Sequence, residues 1–389
     1  MKYVLLIIDG VSDEAIEALG YCTPLEKAVM PNIDYVAHNG HVGRIDTAFK
    51  GYPVESMVCI MGLLGYDARK YYPCGRASVE AIAQGIDIGK DDLAFRCNII
   101  TTDKEKKYIN DFTANLISDS EAKKFISDIK LPRKDIEIYH GQSYRNILVV
   151  RNSEVKADDI KCYAPHMHIG EDINKLSISS NNNPEMAKML NDFITSTYNL
   201  KNNEMLWLWS PSRKIAIPKF KDMTGLSGAV VCGMDFLRGI AIAADMDYEV
   251  IDGTNGYIDT DYSAKANCAI KYIENHDFIL VHVNATDEEA HQHNYNGKIK
   301  AIENVDKLVL GPILKELKNK YKDEYRIAIC GDHMTRCRDG KHVGEPVPFA
   351  IHGSKIHIKS NEGFNEKSVE KYTPIKSTDF ISTFFNKNK

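Results

Sequence analysis

The stretch that decides the fold is "HDFILVHVNATDEEAHQH", which runs from His276 to His293. It begins as an apolar, β-branched run typical of a buried strand and ends in a group of acidic and histidine residues. Asp287 and His291 lie four residues apart, which puts both side chains on one face of a helical turn. Carboxylate and imidazole together suit a first-row divalent metal ion. Because polar loops after strands also contain Asp and His, the stretch alone leaves both interpretations open.

Two further segments combine a buried apolar run with an acidic end. "KYVLLIID" ends at Asp9, and "YRIAICGDH" ends at Asp332 and His333. Between them, "GLSGAVVCGMDFLRGIAIAADM" has the pattern of a strand, a turn and a helix. Apolar runs that alternate with helical patterns predict an α/β fold with a mostly parallel sheet flanked by helices. Since sites in such sheets lie beyond the carboxyl ends of the strands, we expect the acids to meet at one edge.

A third histidine, in "CGDHMTRCRDGKHVGEPVPFAI", completes a candidate set of metal ligands. The set comprises Asp9, Asp287, His291, Asp332, His333 and His342. These residues suffice for two divalent ions, and two-metal sites stabilise the attacking and leaving oxygens in phosphoryl transfer. His282 lies within the strand pattern and is interpreted as a satisfied core histidine, whereas His293 is expected to orient a ligand or contact substrate.

Ser56 is the candidate nucleophile. It precedes "MVCIMGLLGY", which has the pattern of the start of a helix. The backbone N–H groups at a helix N-terminus favour anions, and a metal-bound hydroxyl loses its proton more readily. The alternative is that Ser56 only caps the helix.

Composition limits the possible classes of function. The 389 residues favour two domains, with 43% hydrophobic and 26% charged residues, as in soluble globular proteins. A net charge of -5 indicates no general attraction to nucleic acid or to an anionic membrane, so neither is expected as a partner. The nine cysteines form no CxxC pair, and the first residues do not resemble an export signal, so a cytoplasmic protein with reduced thiols is expected. The sequence indicates no oligomeric state.

The expected domains are a discontinuous core, residues 1–94 and 216–389, and an inserted smaller α+β cap, residues 95–215. Within the cap, "IEIYHGQSYRNILVV" predicts two strands with a loop, and "NPEMAKMLNDFITSTYN" predicts a helix. Such a cap is expected to close on substrate and exclude water.

Motifs along nearly the whole chain carry a family resemblance. They are "LLIIDG", "TPLEKAVMPNIDYVAHNG", "LLGYDARKYY", "AFRCN", "WLW", "GYIDTDY", "DEEAH", "KAIENVD", "GDH" and "HVGEPVPFAI". With them the chain resembles the archaeal-type cofactor-independent phosphoglycerate mutases of the alkaline phosphatase superfamily. The resemblance implies an alkaline phosphatase-like core and interconversion of 3-phosphoglycerate and 2-phosphoglycerate, which are small phosphorylated substrates, through a phosphoserine on Ser56.

The resemblance also implies how the ligands are divided between two divalent metal ions. One ion would be held by Asp9, Ser56, Asp332 and His333. The other would be held by Asp287, His291 and His342. Mn²⁺ is the expected ion, and Zn²⁺, Co²⁺ or Fe²⁺ suit the same mixed ligands.

Three residues of the predicted cap region or its border are candidates for substrate binding. The guanidinium groups of Arg76 and Arg96 fit phosphate or carboxylate, although either residue could instead form a surface salt bridge. His166 could donate to a substrate oxygen or act as a general acid or base.

The chain departs from the family pattern at three positions. Glu55 and Met57 flank Ser56 where the family usually has Gly and Asp, and Met167 replaces an acid that commonly pairs with the cap histidine. These departures leave open a metal-dependent phosphatase or phosphotransferase that acts on another small phosphate ester. A non-catalytic metal-binding or regulatory protein is disfavoured, because every ligand and Ser56 are present.

Overall fold

The computed structural model describes residues 1–386 and divides the chain into two compact units. Unit 1 comprises Met1–Tyr71 together with the chain from Ile217 onward, and unit 2 comprises Tyr72–Ala216. In chain order the strands are β1 (Lys2–Ile8), β2 (His41–Asp46), β3 (Leu93–Thr102), β4 (Ile109–Asp111), β5 (Ile136–Gln142), β6 (Arg145–Val150), β7 (Glu204–Ser212), β8 (Gly228–Val231), β9 (Asp247–Tyr248), β10 (Phe278–Val283), β11 (Tyr325–Cys330), β12 (Met334–Arg336), β13 (Lys341–Val343), β14 (Val347–Gly353) and β15 (Ile375–Lys376).

The α-helices alternate with these strands through much of the chain. In chain order they are α1 (Pro24–Lys27), α2 (Pro31–His38), α3 (Ser56–Leu63), α4 (Ala68–Tyr71), α5 (Ala77–Ala83), α6 (Asp119–Ser127), α7 (Pro184–Ser196), α8 (Phe220–Thr224), α9 (Asp235–Ala243), α10 (Tyr262–Asn275), α11 (Ala285–His291), α12 (Tyr295–Asn304), α13 (Gly311–Glu316), α14 (Glu366–Val369) and α15 (Ser377–Phe385). Two π-helical segments, Val305–Leu310 and Leu317–Tyr321, extend α12 and α13, so a helical stretch with wider turns runs from residue 295 to residue 321.

The sheet of unit 1 has eight strands in the order β15-β2-β14-β11-β1-β10-β8-β9. Five of the seven pairings are parallel, and only those of β14 with β11 and β2 are antiparallel. The predicted mostly parallel α/β core is therefore confirmed. The strand, turn and helix predicted after residue 225 are also confirmed, as β8 and α9.

Helices cover both faces of this sheet. Val4, Leu6 and Ile8 of β1 are fully buried in a core shared with residues of α2, α10 and α12. The neighbouring Tyr3 packs its ring against Phe384 of α15, with ring centroids 5.6 Å apart. Because successive strand residues point to opposite faces, these contacts place helices on the two sides and explain the continuous apolar runs.

Unit 2 is built on a five-stranded antiparallel sheet in which β3 pairs with β4, β6 and β7, and β5 pairs with β6. The two predicted strands are confirmed as β5 and β6, and the predicted helix as α7. Helices α6 and α7 contribute to its core through residues such as Ala122, Leu190 and Phe193. The unit has the predicted α+β character.

The first domain boundary lies earlier than the sequence predicted. Residues 72–94 belong to unit 2, whereas they were expected in the core, and the second boundary differs by one residue. The reason is packing, because Ala77 and Ala81 of α5 share a buried cluster with Ala94 of β3 and Val149 of β6. A boundary at 94 would also cut β3, which begins at Leu93. Within residues 1–386, no helix is long and apolar enough to cross a membrane.

Candidate active site

Three adjacent parallel strands, β11, β1 and β10, bring acidic residues to one edge of the sheet of unit 1. Asp9 directly follows β1, and Asp332 follows β11 by two residues. Asp287 lies in α11, which begins two residues after β10. The structure thus brings together the three carboxylates whose strands were expected to end at a common edge.

The first set of candidate metal ligands is the Asp9 group, which we define as Asp9, Asp332 and His333. One ligand atom from each lies within 4.8 Å of the others, and all three residues are fully buried. His333 Nε2 is 3.4 Å from Asp9 Oδ1 and 3.5 Å from Asp332 Oδ2. The backbone N–H groups of Gly10 and His333 donate to Asp332 Oδ1, each at 3.0 Å. These two bonds fix the carboxylate so that Oδ2 faces the group.

Ser56 lies beside the Asp9 group. Its Oγ is 3.2 Å from Asp9 Oδ2 and 3.2 Å from His333 Nε2. Ser56 is the first residue of α3, and the N-cap position belongs to Glu55. The interpretation of Ser56 as only an N-cap is therefore wrong, because its hydroxyl points to the ligands and not to the helix backbone. Every residue of α3 is buried, so the helix holds this hydroxyl in a fixed place.

The second set is the Asp287 group, which we define as Asp287, His291 and His342. Asp287 Oδ2 is 3.2 Å from His291 Nε2, and its Oδ1 is 3.3 Å from His342 Nε2. The two imidazoles are also close, with 3.0 Å between their Nε2 atoms. Their Nδ1 atoms lie 2.7 and 3.0 Å from the backbone oxygens of Gly340 and Val54. Each ring therefore has its Nε2 directed toward the carboxylate.

The two groups are contiguous through His333. Asp287, His333 and His342 also have ligand atoms within 4.8 Å of one another, and the rings of His333 and His342 stack with centroids 3.9 Å apart. The residues fit divalent metal ions on two further observations. Among residues 1–386, Asp332 Oδ2 is buried with no hydrogen-bond partner, and no Lys or Arg forms an ion pair with Asp9, Asp287 or Asp332. Asp9 and Asp332 have only histidine partners among residues 1–386, and a bound divalent cation would stabilise their buried carboxylates.

Comparison with known proteins identifies the family. The family model of the 2,3-bisphosphoglycerate-independent phosphoglycerate mutases matches residues 37–205, and that of the type I phosphodiesterases and nucleotide pyrophosphatases matches residues 182–379. The 2,3-bisphosphoglycerate-independent phosphoglycerate mutase of Methanosarcina barkeri is 33% identical, over 98% of this chain and 98% of its own. This chain belongs to the 2,3-bisphosphoglycerate-independent phosphoglycerate mutase family.

Solved structures support the same assignment. A protein from Pyrococcus horikoshii is 25% identical with a TM-score of 0.81, over 100% of this chain and 98% of its own. A cofactor-independent phosphoglycerate mutase from Thermoplasma acidophilum is 26% identical with a TM-score of 0.65, over 99% of both chains. The likeness extends over both units, so this phosphoglycerate mutase family member has the fold of the family.

The charges of this mutase family member differ between the two ligand groups. Burial, together with the neighbouring carboxylates of Asp332 and Asp287, raises the pKa of Asp9 well above its usual value. Burial also acts to raise the pKa of Asp287, but hydrogen bonds from His291 and His342 hold it well below the usual value. Burial lowers the pKa of His333. Without a bound cation, the surroundings therefore favour the protonated form of Asp9 and the ionised form of Asp287.

His282 corrects one sequence interpretation. It is fully buried in β10, as expected, but its Nε2 lies 3.0 Å from Asp9 Oδ2 and its Nδ1 is buried without a hydrogen-bond partner among residues 1–386. It is therefore not a satisfied core histidine, and it contacts a candidate ligand. His293 contacts the backbone instead, since its Nδ1 lies 2.8 Å from the Cys337 carbonyl oxygen.

Two threonines near the ligands were missed by the sequence analysis. Thr286 donates to the backbone oxygen of Asp9, and the Thr335 hydroxyl contacts both Asp287 and His333. For Thr335, the signal available in the sequence was strand periodicity. Residues two apart in an extended segment lie on the same side, which would place Thr335 beside His333. A threonine is so common in strands that this signal alone does not single it out.

Unit 2 holds the other candidate residues. Arg96 forms an ion pair with Glu80 at 2.9 Å and lies 4.1 Å from the centroid of the Trp209 ring. The Arg96 side chain is only 17% exposed, so the alternative of a surface salt bridge does not describe it. Burial lowers its pKa, and so do the positive charges of Arg76 and Arg145. The Arg96 guanidinium is therefore a buried positive charge paired with Glu80 and close to two further guanidinium groups.

His166 lies on the border of this cluster. Its ring is 5.3 Å from Trp209 and 5.9 Å from Phe112, centroid to centroid, and the residue is exposed. The adjacent Met167, which stands where the family has an acid, is 72% exposed. The structure therefore brings Arg96 and His166 together on the Trp209 ring, while Arg76 donates its backbone N–H to Ser210 Oγ at 3.0 Å.

Proposed function

We propose that this protein interconverts 3-phosphoglycerate and 2-phosphoglycerate through a phosphoserine formed on Ser56. The observation that carries the proposal is the position of the Ser56 hydroxyl, 3.2 Å from Asp9 Oδ2 and from His333 Nε2, beside a convergence of acids and imidazoles. The name of the Methanosarcina barkeri relative, a phosphoglycerate mutase 33% identical to this chain, supports the substrate. Phosphoglycerates are small phosphorylated molecules, consistent with a site built for phosphoryl transfer.

Two divalent metal ions belong to the proposal. One is held by Asp9, Ser56, Asp332 and His333, and the other by Asp287, His291 and His342. When bound, the ions supply positive charge that stabilises the transferred phosphoryl group and favours a deprotonated serine. Mn²⁺ is the proposed ion, and Zn²⁺, Co²⁺ and Fe²⁺ suit the same ligands.

The residues of the chain position the nucleophile. Ser56 is held at the N-terminus of α3, where backbone N–H groups favour negative charge on its oxygen. The serine oxygen attacks phosphorus, the glycerate leaves, and its other hydroxyl then takes the phosphoryl group back from the serine. Water must be excluded during this interval, because hydrolysis of the phosphoserine would release inorganic phosphate.

Arg76, Arg96 and His166 are proposed to bind the substrate. The buried ion pair between Arg96 and Glu80 supports this role, because it holds the Arg96 guanidinium against the Trp209 ring, which His166 also contacts. A guanidinium can hold a carboxylate or phosphate through two parallel hydrogen bonds, and an imidazole can donate to a third oxygen. We expect Arg96→Ala to lower kcat/KM by about 10- to 100-fold, the loss typical of a hydrogen bond to a charged group. Arg133→Ala is the control, since Arg133 pairs with Asp135 on the surface of the same unit.

A metal add-back assay tests the proposed function. The protein is stripped with a chelator, one ion at a time is returned, and conversion of 3-phosphoglycerate to 2-phosphoglycerate is followed by NMR. Ser56→Ala should reduce turnover by at least about 10³-fold, as the loss of a covalent nucleophile does. Ser377→Ala is the matched control, because Ser377 is also the buried first residue of a helix, α15, outside the ligand groups. Unchanged turnover in Ser56→Ala would overturn the proposal.

The second candidate is a phosphatase or phosphotransferase that acts on another small phosphate ester. It is favoured by Met57, which is fully buried beside Ser56 where the family has Asp, and by Met167 in unit 2. Release of inorganic phosphate, measured in the same samples as mutase conversion, separates the two functions. Phosphate release faster than isomerisation would favour the second candidate. A cytoplasmic location, appropriate to phosphoglycerates, is part of the proposal and can be tested by cell fractionation.

A further inference from the structure

Thr335 lies at the centre of the two ligand groups without belonging to either. It is the middle residue of β12, is fully buried, and pairs with His342 of β13 across the hairpin. Its Oγ1 is 2.6 Å from Asp287 Oδ1 and 3.1 Å from His333 Nδ1. One hydroxyl therefore connects a residue of the Asp287 group with a residue of the Asp9 group.

The hydrogen-bond capacity of these partners fixes the direction of both bonds. A hydroxyl has one proton to donate, and an ionised carboxylate can only accept. Asp287 faces the Nε2 atoms of His291 and His342 at 3.2 and 3.3 Å as an acceptor, so it also accepts from Thr335 Oγ1, and 2.6 Å is typical of a charge-assisted bond. The hydroxyl then has only lone pairs left for His333 Nδ1, and this nitrogen must carry a proton to donate.

The tautomer of His333 follows from this geometry. In a neutral imidazole with a proton on Nδ1, Nε2 has a lone pair and no proton. His333 Nε2 faces Ser56 Oγ at 3.2 Å and the two carboxylates of the Asp9 group at 3.4 and 3.5 Å. The Nε2 lone pair is therefore directed toward the proposed metal position. A proton on Nε2 would prevent this nitrogen from binding the ion.

The backbone holds Thr335 in this position. Its carbonyl oxygen accepts from Lys298 Nζ at 2.7 Å, and its N–H donates to the Ser12 carbonyl oxygen at 3.2 Å. Lys298 is fully buried and also contacts Asp13 Oδ2 at 2.9 Å. These bonds tie β12 to the loop that follows β1, so the hydroxyl has little freedom to turn away.

We propose that Thr335 is a positioning residue that holds His333 in the Nδ1-protonated tautomer and links the two ligand groups into one unit. The metal-binding part of this inference rests on the proposed function. The tautomer part does not, because it concerns the metal-free protein. Outer ligand contacts of this kind typically change metal affinity by about 10- to 100-fold when they are removed.

The first test measures the tautomer directly. Long-range ¹H–¹⁵N NMR spectra of the metal-free protein, labelled at histidine, should show His333 with its proton on Nδ1. Assignment comes from loss of the signals in His333→Gln. Thr335→Val removes the hydroxyl at nearly constant shape and should shift His333 toward a mixture of tautomers, whereas Thr335→Ser should keep the wild-type form. A proton on Nε2 and none on Nδ1 of His333 in the wild-type protein would overturn the proposal even if neither Thr335 variant folds.

The second test measures affinity for Mn²⁺ by calorimetric titration. Thr335→Val should weaken binding by about 10- to 100-fold, and Thr335→Ser should restore most of it. Thr197→Val is the matched control, because the buried Thr197 hydroxyl also donates one bond, to Ile194, and accepts one, from Leu206, but lies in unit 2. It should lower the melting temperature and leave Mn²⁺ affinity unchanged. A purely structural role of Thr335 would give this same result for Thr335→Val and would contradict the proposal.

The two tests separate failure of this inference from failure of the proposed function. A wild-type protein that binds no Mn²⁺ contradicts the proposed two-ion site, and the NMR spectra then decide the role of Thr335 alone. A wild-type protein that binds two ions, with equal affinity and an equal His333 tautomer in Thr335→Val, contradicts the role of Thr335 and leaves the proposed function standing.

Discussion

The Asp9 group and the Asp287 group use the same residue types in opposite electrostatic states. In the Asp9 group all residues are fully buried, and neighbouring carboxylates raise the pKa of Asp9. In the Asp287 group the carboxylate accepts hydrogen bonds from two imidazoles, one of them on a 39% exposed side chain, and its pKa is lowered. The comparison shows that the charge of a ligand depends on its partners and its burial more than on its type.

The same difference means that the groups should respond differently to loss of metal. The Asp287 group is partly neutralised by its own histidines. The Asp9 group has repulsion between carboxylates that a cation would relieve. The following predictions test this contrast, from the largest expected effect to the smallest.

Asp332→Asn should have the largest effect. It should weaken metal binding but stabilise the metal-free protein. Loss of a charged ligand should weaken Mn²⁺ binding to the Asp9 group by more than about 100-fold, because even outer contacts reach that value. In the metal-free protein the substitution removes a carboxylate that raises the pKa of Asp9, so the free energy of unfolding should rise. Calorimetric titration and denaturation in chelator measure the two quantities.

The control for this prediction is Asp192→Asn, which removes an exposed partner of Lys188 in unit 2. It should change neither Mn²⁺ affinity nor, beyond a few tenths of a kcal/mol, stability. A metal-free Asp332→Asn protein less stable than wild type would show that the carboxylates of the Asp9 group do not repel one another as inferred.

His282→Leu should have an intermediate effect, confined to the Asp9 group. The substitution removes the contact between His282 Nε2 and Asp9 Oδ2 at 3.0 Å, so the affinity of the Asp9 group for Mn²⁺ should fall by about 10-fold. His276→Leu is the control, since His276 contacts Asp247 near the surface. Equal weakening of both Mn²⁺ sites would indicate a general loss of structure and contradict a specific role for His282.

The smallest expected effect is a pH dependence carried by His291 in the metal-free protein. Burial alone would lower its pKa, but the hydrogen bond to Asp287 raises the pKa to about 9 from 6.5. A raised folded-state pKa stabilises the protein fully below pH 6.5, and this contribution is lost as the pH rises through about 9. Because the side chain is 39% exposed, solvent screening limits the loss to about 1 kcal/mol.

The measurement is urea denaturation in chelator from pH 6 to pH 10, compared between wild type and His291→Gln. The variant should be less stable at low pH and should converge with wild type at high pH. A constant difference between the two proteins across this range would contradict the assigned ionisation of His291.

Much of the fold could be predicted because its signals are local. The apolar runs of β1, β10 and β11 and the strand, turn and helix of β8 and α9 follow from short-range periodicity. The capping box of Thr23 and Glu26 at α1 is a local signal of the same kind, because its two residues lie three apart in the chain. The domain boundary at residue 94 was wrong, because α5 joins unit 2 through packing against β3 that no local pattern reveals.

The carboxylates of the candidate site could also be predicted from the sequence, but the roles of two of its other residues could not. Acids after buried strands identified Asp9, Asp287 and Asp332, since parallel strands deliver their ends to one edge. His282 was misinterpreted, because periodicity shows that a strand residue is buried but not which side chain it meets. Thr335 was missed for the same reason, as its two partners lie on α11 and on the segment after β11.

The sequence by itself determined which chemical groups follow which strands, and its similarity to known relatives determined the family. Only the tertiary structure decided which of those groups lie close together. Their proximity in turn decides which of them are ionised. Asp9 and His282 are 273 residues apart in the chain and 3.0 Å apart in space. Coulombic and hydrogen-bond energies depend on distance in space, and strand order in the sheet, which no local pattern contains, sets that distance.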